Sequence, residues 1–287
     1  AFVMEYVNNY PAEIAGVTGI LTLLTTLIIT FAGDYWIGGI SYPYFSETFP
    51  DGARQIIAVI FLLIAAAFMV KAAFTVSANN AQRLEAAADI SGCTKSTNAA
   101  GKWVMLFAAI FLVCVPVFST YTFSLIHLLA AILFFLCVIS YIVMNVIVSN
   151  RLAAAGDEIA KASIVTKKIV CGFYALFFTI YLPVGLAIVC TFPHLTYSNC
   201  LVEKDAAFCD EYRYTGGEPG DEPSTILWDY RDCGGINVLR AVCQHLCVLC
   251  TLIYIFSLGK EIRKHSEAAV AKPTGAGAPS EVPVDTA

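Results

Sequence analysis

The chain has 287 residues, 58% of them apolar and only 14% charged, with a formal charge of −5 at pH 7 and a mean hydropathy of +0.72. Soluble domains carry about 45–50% apolar and about 25% charged residues, so a soluble enzyme is excluded: it could not cover its surface with so few charges. The acidic balance and the lack of a basic run also exclude a nucleic-acid partner, whose phosphates need clustered Lys or Arg.

In chain order, residues 1 to 13 hold Glu5 and Glu13 but no Lys or Arg and lead into an apolar run too long for a signal-peptide core, so no removable signal peptide is expected. A spanning helix needs about 20 apolar residues to cross roughly 30 Å of hydrocarbon. The first such run is Ile14–Gly33, followed by an outer loop over 34–54; the second is Gln55–Val76. The third, Trp103–Ser119, and the fourth, Leu125–Ser149, are almost continuous. One helix of that combined length would reach about 70 Å, more than twice the membrane thickness, so the polar patch Ser119, Thr120, Tyr121, Thr122 and Ser124, just after Pro116, predicts a hairpin. The fifth run is Ile169–Phe192, a long loop covers 193–240, and the sixth is Ala241–Gly259. The runs lack the two-residue alternation of a membrane β-barrel, so backbone hydrogen bonds must close within helices. The expected fold is all-α, a polytopic bundle of six transmembrane helices over residues 1–265, with a small-residue, Pro-rich tail over 266–287 expected to be disordered and cytosolic.

Cytoplasmic loops carry the excess of Lys and Arg. One side holds Lys71, Arg83, Lys95, Lys102, Arg151, Lys161, Lys167, Lys168, Lys260, Arg263, Lys264 and Lys272; the other holds Arg54, Lys204, Arg213, Arg231 and Arg240. Twelve against five predicts that both termini are cytosolic. Between Pro193 and Gly235 the outer loop carries nine acids against Lys204, Arg213 and Arg231, a net of −6. A solvated acidic cap accounts for this; cation or partner binding is the alternative, although the spacing does not match an EF-hand.

Most of the eleven cysteines fall in apolar helices, where thiols pack as small apolar groups. Cys200, Cys209 and Cys233 lie in the outer loop and Cys190 near a helix end, in a compartment that permits disulfides. At least one bridge is expected, and four cysteines allow three pairings. Cys243, Cys247 and Cys250 sit within an apolar helix without a matching ligand set, which favours packing over a metal site; neither metal nor cofactor is expected. Cys93 is accessible to acylation, with a free thiol the simpler state.

Ionisable residues within spanning helices are functional candidates because hydrocarbon makes them expensive. His127 begins the fourth helix near its outer end, Gln244 and His245 lie about a turn inside the sixth, and the first outer loop adds Glu47 and Asp51 at the same level. Interhelical hydrogen bonding is the plain role for His127 and Gln244, with ligand or proton sensing as the alternative. Glu47, His127, Gln244 and His245 are expected to face inward and partner one another, with Tyr44 and Ser46 closing the site from the loop.

At these positions the sequence resembles the DRAM/Frag/Sfk family of six-helix membrane proteins. The family's Pro-Tyr-Ile-Ser-(Asp/Glu)-Thr run before the second helix is similar to Pro43, Tyr44, Phe45, Ser46, Glu47 and Thr48. Its fourth-helix pattern is similar to His127, Ala130, Ala131, Phe134, Phe135, Ser140 and Tyr141, and KAAFTVSANNAQRL matches the polar end of its second helix. The family usually places an acid followed by an aromatic near the outer part of the sixth helix, where this chain has Gln244 and His245. The resemblance spans residues 14 to 265. It implies a non-enzymatic multi-pass regulator in lysosomal, endosomal or plasma membrane, active in autophagy, membrane trafficking or phosphoinositide and lipid organisation. It implies membrane lipids and membrane or peripheral proteins as partners, with Tyr44, Ser46, Glu47, Thr48, His127, Gln244 and His245 as candidate binding residues. Two other classes stay open: a lipid-handling protein, either a GPI-anchor lipid remodelling factor or a lipid transporter, and a structural subunit of a larger membrane complex.

Overall fold

The computed structural model describes residues 9–87, 91–184, 187, 193–216 and 220–271. Six long helices dominate: α1 Pro11–Ala32, α2 Gly52–Ala86, α3 Gly92–Val117, α4 Ser124–Ala154, α5 Glu158–Thr179 and, after two short helices in the second outer loop, α8 Gly234–Ala271. All six are long and apolar enough to cross a membrane, and the protein is an integral multi-pass membrane protein. Helices α1 to α5 pack in chain order, and α8 lies between α5 and α1 to close the ring.

Local sequence accounts for the breaks. Pro11 takes the first position of α1, where its missing N–H is no loss. α3 ends one residue after Pro116 and α4 begins at Ser124, so the hairpin forms at the expected polar patch. Asp157 caps α5 by accepting from the Ala160 amide at 2.7 Å.

Most helices outrun their apolar segments. α2 continues ten residues past Val76, α5 starts eleven residues before Ile169, and α8 begins at Gly234 and ends at Ala271. Residues 266–271, assigned above to the tail, therefore continue α8. A helix needs no hydrocarbon to persist once nucleated and propped by neighbours, and α2 is clamped beyond the apolar core by Arg83, which grips Asp157 through Nε and Nη2 at 2.9 and 2.6 Å. Partial burial works to raise the Asp157 pKa, but these bonds and the Ala160 amide hold it below the ordinary value.

The core is apolar and built from small residues as well as aromatics. Ala12, Ala15, Ala66, Ala72, Ala73 and Ala108 bring the helices close, while Phe134, Phe135, Tyr141, Tyr174 and Tyr254 fill the space between. At Gly16 there is no room for a Cβ, because the Phe256 ring of α8 lies directly over it, as small residues permit at membrane helix contacts. Cys243, Cys247 and Cys250 are free, buried and part of this core.

The second outer loop folds into a cap. β1 (His194–Thr196) pairs antiparallel with β2 (Ser224–Trp228), and α6 (Tyr197–Glu203) and α7 (Ala206–Glu211) stand between them. Cys200 and Cys209 join these two short helices in a disulfide. Cys233 is disulfide-bonded too; Cys190 lies outside the described residues. The cap has its own small core of Trp36, Leu195, Cys200, Cys209 and Leu227.

Candidate functional site

The first outer loop does not float above the bundle. Its 3-10 turn, Phe45–Thr48, sinks between the helix ends, with Tyr44, Phe45, Glu47, Thr48 and Phe49 all buried. Two helices hold it. From α1, Thr22, Thr26 and Thr30 recur every four residues on one buried face. The Thr48 hydroxyl donates to Thr26 Oγ1 at 2.9 Å and the Thr30 hydroxyl donates to the Thr48 carbonyl at 3.1 Å. From α8, Gln244 Oε1 accepts from the Phe45 amide at 2.7 Å, and its Nε2 donates to the Tyr181 hydroxyl at 3.0 Å. Tyr44 donates to Asn237 Oδ1 at 3.0 Å, and Arg240 Nε donates to the Tyr181 carbonyl at 3.1 Å. Tyr181 lies in the π-turn Ile180–Val184 that extends α5. Loop, α5 and α8 are thereby tied through one buried polar network.

Glu47 closes the outer side of this network. Its side chain is 2% exposed and accepts from the Tyr230 hydroxyl at 3.0 Å. Tyr230 belongs to the end of the cap, and its amide donates to the Gly38 carbonyl at 2.8 Å. Gly38 has φ +76, and a Cβ there would run into the Tyr230 ring, so glycine is required both by conformation and by space. Burial raises the Glu47 pKa to about 7, against the lowering effects of the Tyr230 hydroxyl, the Arg54 charge and the Tyr121 hydroxyl. Arg54 is itself buried, bonded to Asp51 at 2.7 Å and stacked 3.5 Å over the Tyr35 ring. Tyr212 of the cap donates to the other Asp51 oxygen at 2.6 Å. Three outer connections, the first loop, the α3–α4 hairpin and the cap, thus converge on one carboxyl.

The predicted residues are not all brought together. Tyr44, Glu47, Thr48 and Gln244 share the network, and Ser46 stands half-buried, its carbonyl accepting from the Phe49 amide at 3.4 Å. His127 goes elsewhere. Its Nδ1 lies 2.9 Å from the Val115 carbonyl and 2.8 Å from the Phe118 carbonyl; both are acceptors, so Nδ1 carries the proton. The imidazole satisfies carbonyls that the end of α3 leaves open after Pro116. His245 bonds its own helix, Nδ1 to the Ala241 carbonyl at 2.9 Å, and sits between the rings of Tyr42 and Phe45 at 5.0 and 5.8 Å. Its Nε2 is buried without a hydrogen-bond partner.

Sequence reasoning missed Tyr181, Tyr230, Asn237 and Arg240. The last two had a signal: Asn237, Arg240 and Gln244 fall at i, i+3 and i+7, a polar stripe along one face of a single helix. It missed a second cluster as well. Lys167 of α5, counted above as a loop charge, is 0% exposed and donates to Glu261 Oε2 of α8 at 2.7 Å and to Asn145 Oδ1 and Ser149 Oγ of α4 at 2.8 Å each. Ser163 donates to the other Glu261 oxygen at 2.6 Å. All three Lys167 protons and both Glu261 oxygens are engaged, which is the condition for keeping charge in a dry interior. Among the described residues no group of three or more His, Cys, Asp or Glu side chains could hold a metal ion.

The first-loop turn and the fourth-helix pattern lie within a match to a family model. Residues 12–265 match the Frag1/DRAM/Sfk1/Cwh43P N-terminal domain. No curated protein matches the chain, and no solved structure does. With the model covering nearly all of the bundle and the cap, the chain belongs to the Frag1/DRAM/Sfk1/Cwh43P family.

Proposed function

We propose that the chain is a non-enzymatic, DRAM-like multi-pass membrane regulator. It acts in autophagy and membrane trafficking or in phosphoinositide and lipid organisation, from a lysosomal, endosomal or plasma membrane with both termini cytosolic. The observation that carries this reading is the engagement of the motif side chains. Tyr44, Thr48 and Gln244 hold the first loop to α8 and α1, and Glu47 is shut beneath Tyr230. These groups make the cap, the loop and the helices one mechanical unit, as suits a regulator that passes a state of the outer compartment to its cytosolic helix ends. Glu47 is the group through which that compartment's acidity enters, since its pKa near 7 lies within the range of organelle acidification. The charge count supports the orientation: with the buried Lys167, Arg54 and Arg240 set aside, the cations still divide eleven to three.

Two measurements test the proposal. Protease tags at residues 220 and 280, read in sealed vesicles, should be cleaved from opposite sides, with 280 on the cytosolic one; the reverse pattern rejects the orientation. Autophagic flux in cells lacking the protein should be restored by the wild type and not by Glu47→Gln expressed at equal abundance. Lipid handling is favoured by one observation, the buried and unpartnered His245 Nε2. A lipid inventory of the gently purified protein that finds one tightly held species, lost in His245→Phe, while flux is unaffected by Glu47→Gln, replaces the first reading with the second.

A further inference from the structure

Between the last turn of α1 and the cap lies a recess of about 350 Å³, walled by Phe31, Tyr35, Trp36 and Ile40 and bounded on the cap side by Glu203 and Lys204. Its volume is at the lower end of the range for ligand pockets, about 300–1,000 Å³. Its place in the fold is specific. Leu24, Ile28 and Phe31 are exposed on one face of α1, at i, i+4 and i+7, and this lipid-facing stripe runs out where the recess opens. The recess therefore begins at the boundary of hydrocarbon and water, the level at which aromatic side chains concentrate.

Its walls are fixed and its charges are not all fixed. The Trp36 indole donates to the Trp228 carbonyl at 2.9 Å and lies under the Arg231 guanidinium at 5.7 Å, so the ring is held from the cap. Arg231 in turn is engaged by Glu203 at 2.9 Å and Asp229 at 2.7 Å. Asp34 adopts φ 49, a left-handed conformation uncommon outside glycine and a form of local strain that gathers at binding sites. Its carbonyl accepts from Lys204 Nζ at 3.0 Å, and its carboxylate, 98% exposed, lies 3.2 Å from the same nitrogen. An ammonium has three N–H groups; beyond these two bonds Lys204 keeps one, and its nitrogen also lies 5.8 Å over the Phe208 ring. An ion pair so exposed contributes only about 0–1 kcal/mol and yields readily to a better anion.

We propose that this recess binds the headgroup of a zwitterionic glycerophospholipid from the leaflet on the cap side. The phosphodiester sits on Lys204, the ammonium lies toward Glu203 and Asp34 with Tyr35 and Trp36 as aromatic walls, and the acyl chains run down the Leu24, Ile28 and Phe31 stripe. The recess touches the surroundings of Glu47 through Tyr35, which lies under Arg54, but its charged groups are separate from that network, and the assignment stands whether or not the regulatory reading holds.

The test uses the full chain in phosphatidylcholine nanodiscs with two photoactivatable lipids that carry the same diazirine acyl chain, a phosphatidylcholine and a diacylglycerol. The phosphatidylcholine should label the peptide covering residues 30–40 at least threefold more than the diacylglycerol does, while both label Ile169 and Phe173 on the lipid face of α5 alike. Lys204→Gln should reduce the phosphatidylcholine labelling at 30–40 at least threefold, and Lys204→Arg should retain it. Equal labelling by the two probes in the wild type overturns the proposal without reference to any variant, as does unchanged labelling in a Lys204→Gln protein that keeps its Cys200–Cys209 disulfide. Soluble glycerophosphocholine at millimolar concentration should not compete; full competition assigns the recess to a free phosphodiester and overturns the lipid assignment.

Discussion

Replacing Glu47 by Gln keeps the shape and removes the charge, and the structure fixes the sign of the result. In the unfolded chain the carboxyl titrates near 4.5; in the folded protein burial raises it to about 7. The folded state therefore holds the proton more tightly. The stabilisation from this group is fully present below pH 4.5 and is lost as pH rises through 7. Linkage gives about 2–3 kcal/mol between pH 5 and pH 8. The groups facing Glu47 are Tyr230 from the cap, Tyr121 from the hairpin, and Asp51 and Arg54 at the start of α2, all retained in the variant. Trp36 of the first loop donates to the carbonyl of Trp228 in the cap, and the third tryptophan, Trp103, is exposed on α3, so in a Trp103→Phe background tryptophan fluorescence during unfolding in micelles reports the cap and its seat on the first loop. The wild type should gain stability from pH 8 to pH 5, and Glu47→Gln should lose most of that gain while matching or exceeding the wild type at pH 8. An identical pH slope in the two proteins refutes the assignment of the proton to Glu47.

Lys167→Met should cost about 3–5 kcal/mol by leaving Glu261 charged in a dry interior, whereas Lys167→Met with Glu261→Met should recover most of it; thermal unfolding of the three proteins in detergent decides, and a double variant as unstable as the single one contradicts the pairing. Gly38→Ala should push Tyr230 off Glu47 and lower cap stability by about 1–3 kcal/mol, the scale for strain at a left-handed position, read by the same tryptophan signal. Cys200→Ser with Cys209→Ser opens a loop with a sequence separation of 9, worth about 2.6 kcal/mol in the chain-entropy model; peptide mapping without reduction should show the bridge in the wild type, and free Cys200 and Cys209 thiols there would refute it.

What the sequence made legible was whatever depends on long apolar runs. Six spans and the hairpin after Pro116 follow from transfer free energy and turn chemistry, which act locally, and a bridge among the outer-loop cysteines follows from the compartment assigned to that loop. The depth of single charges was not legible. Lys167 and Lys168 are adjacent and chemically alike, yet one is enclosed by α4 and α8 and the other faces outward; a helical rotation of about 100° separates them, and only the packing of neighbours says which way the helix turns. His127 is buried, but in place of the expected Glu47, Gln244 and His245 its partners are the Val115 and Phe118 carbonyls, which no side-chain pattern displays. Glu47 and Tyr230 are separated by 183 residues, so their meeting depends on how the cap folds back over the first loop. The strand pair of the cap was hidden for a related reason: β1 has three residues, too short for alternation to register.

The enclosure of Lys167 bears on how the protein is made. Glu261 follows Lys167 by 94 residues, about 5–20 s at ordinary rates of synthesis. During that interval α5 has left the ribosome and its ammonium has no carboxylate to meet. Until α8 arrives, Lys167 must stay hydrated, at the membrane surface or beside the insertion machinery. The later helix α8 thus licenses the settling of α5, and any nascent chain stalled before Glu261 presents an unpaired cation in its membrane domain to cellular quality control.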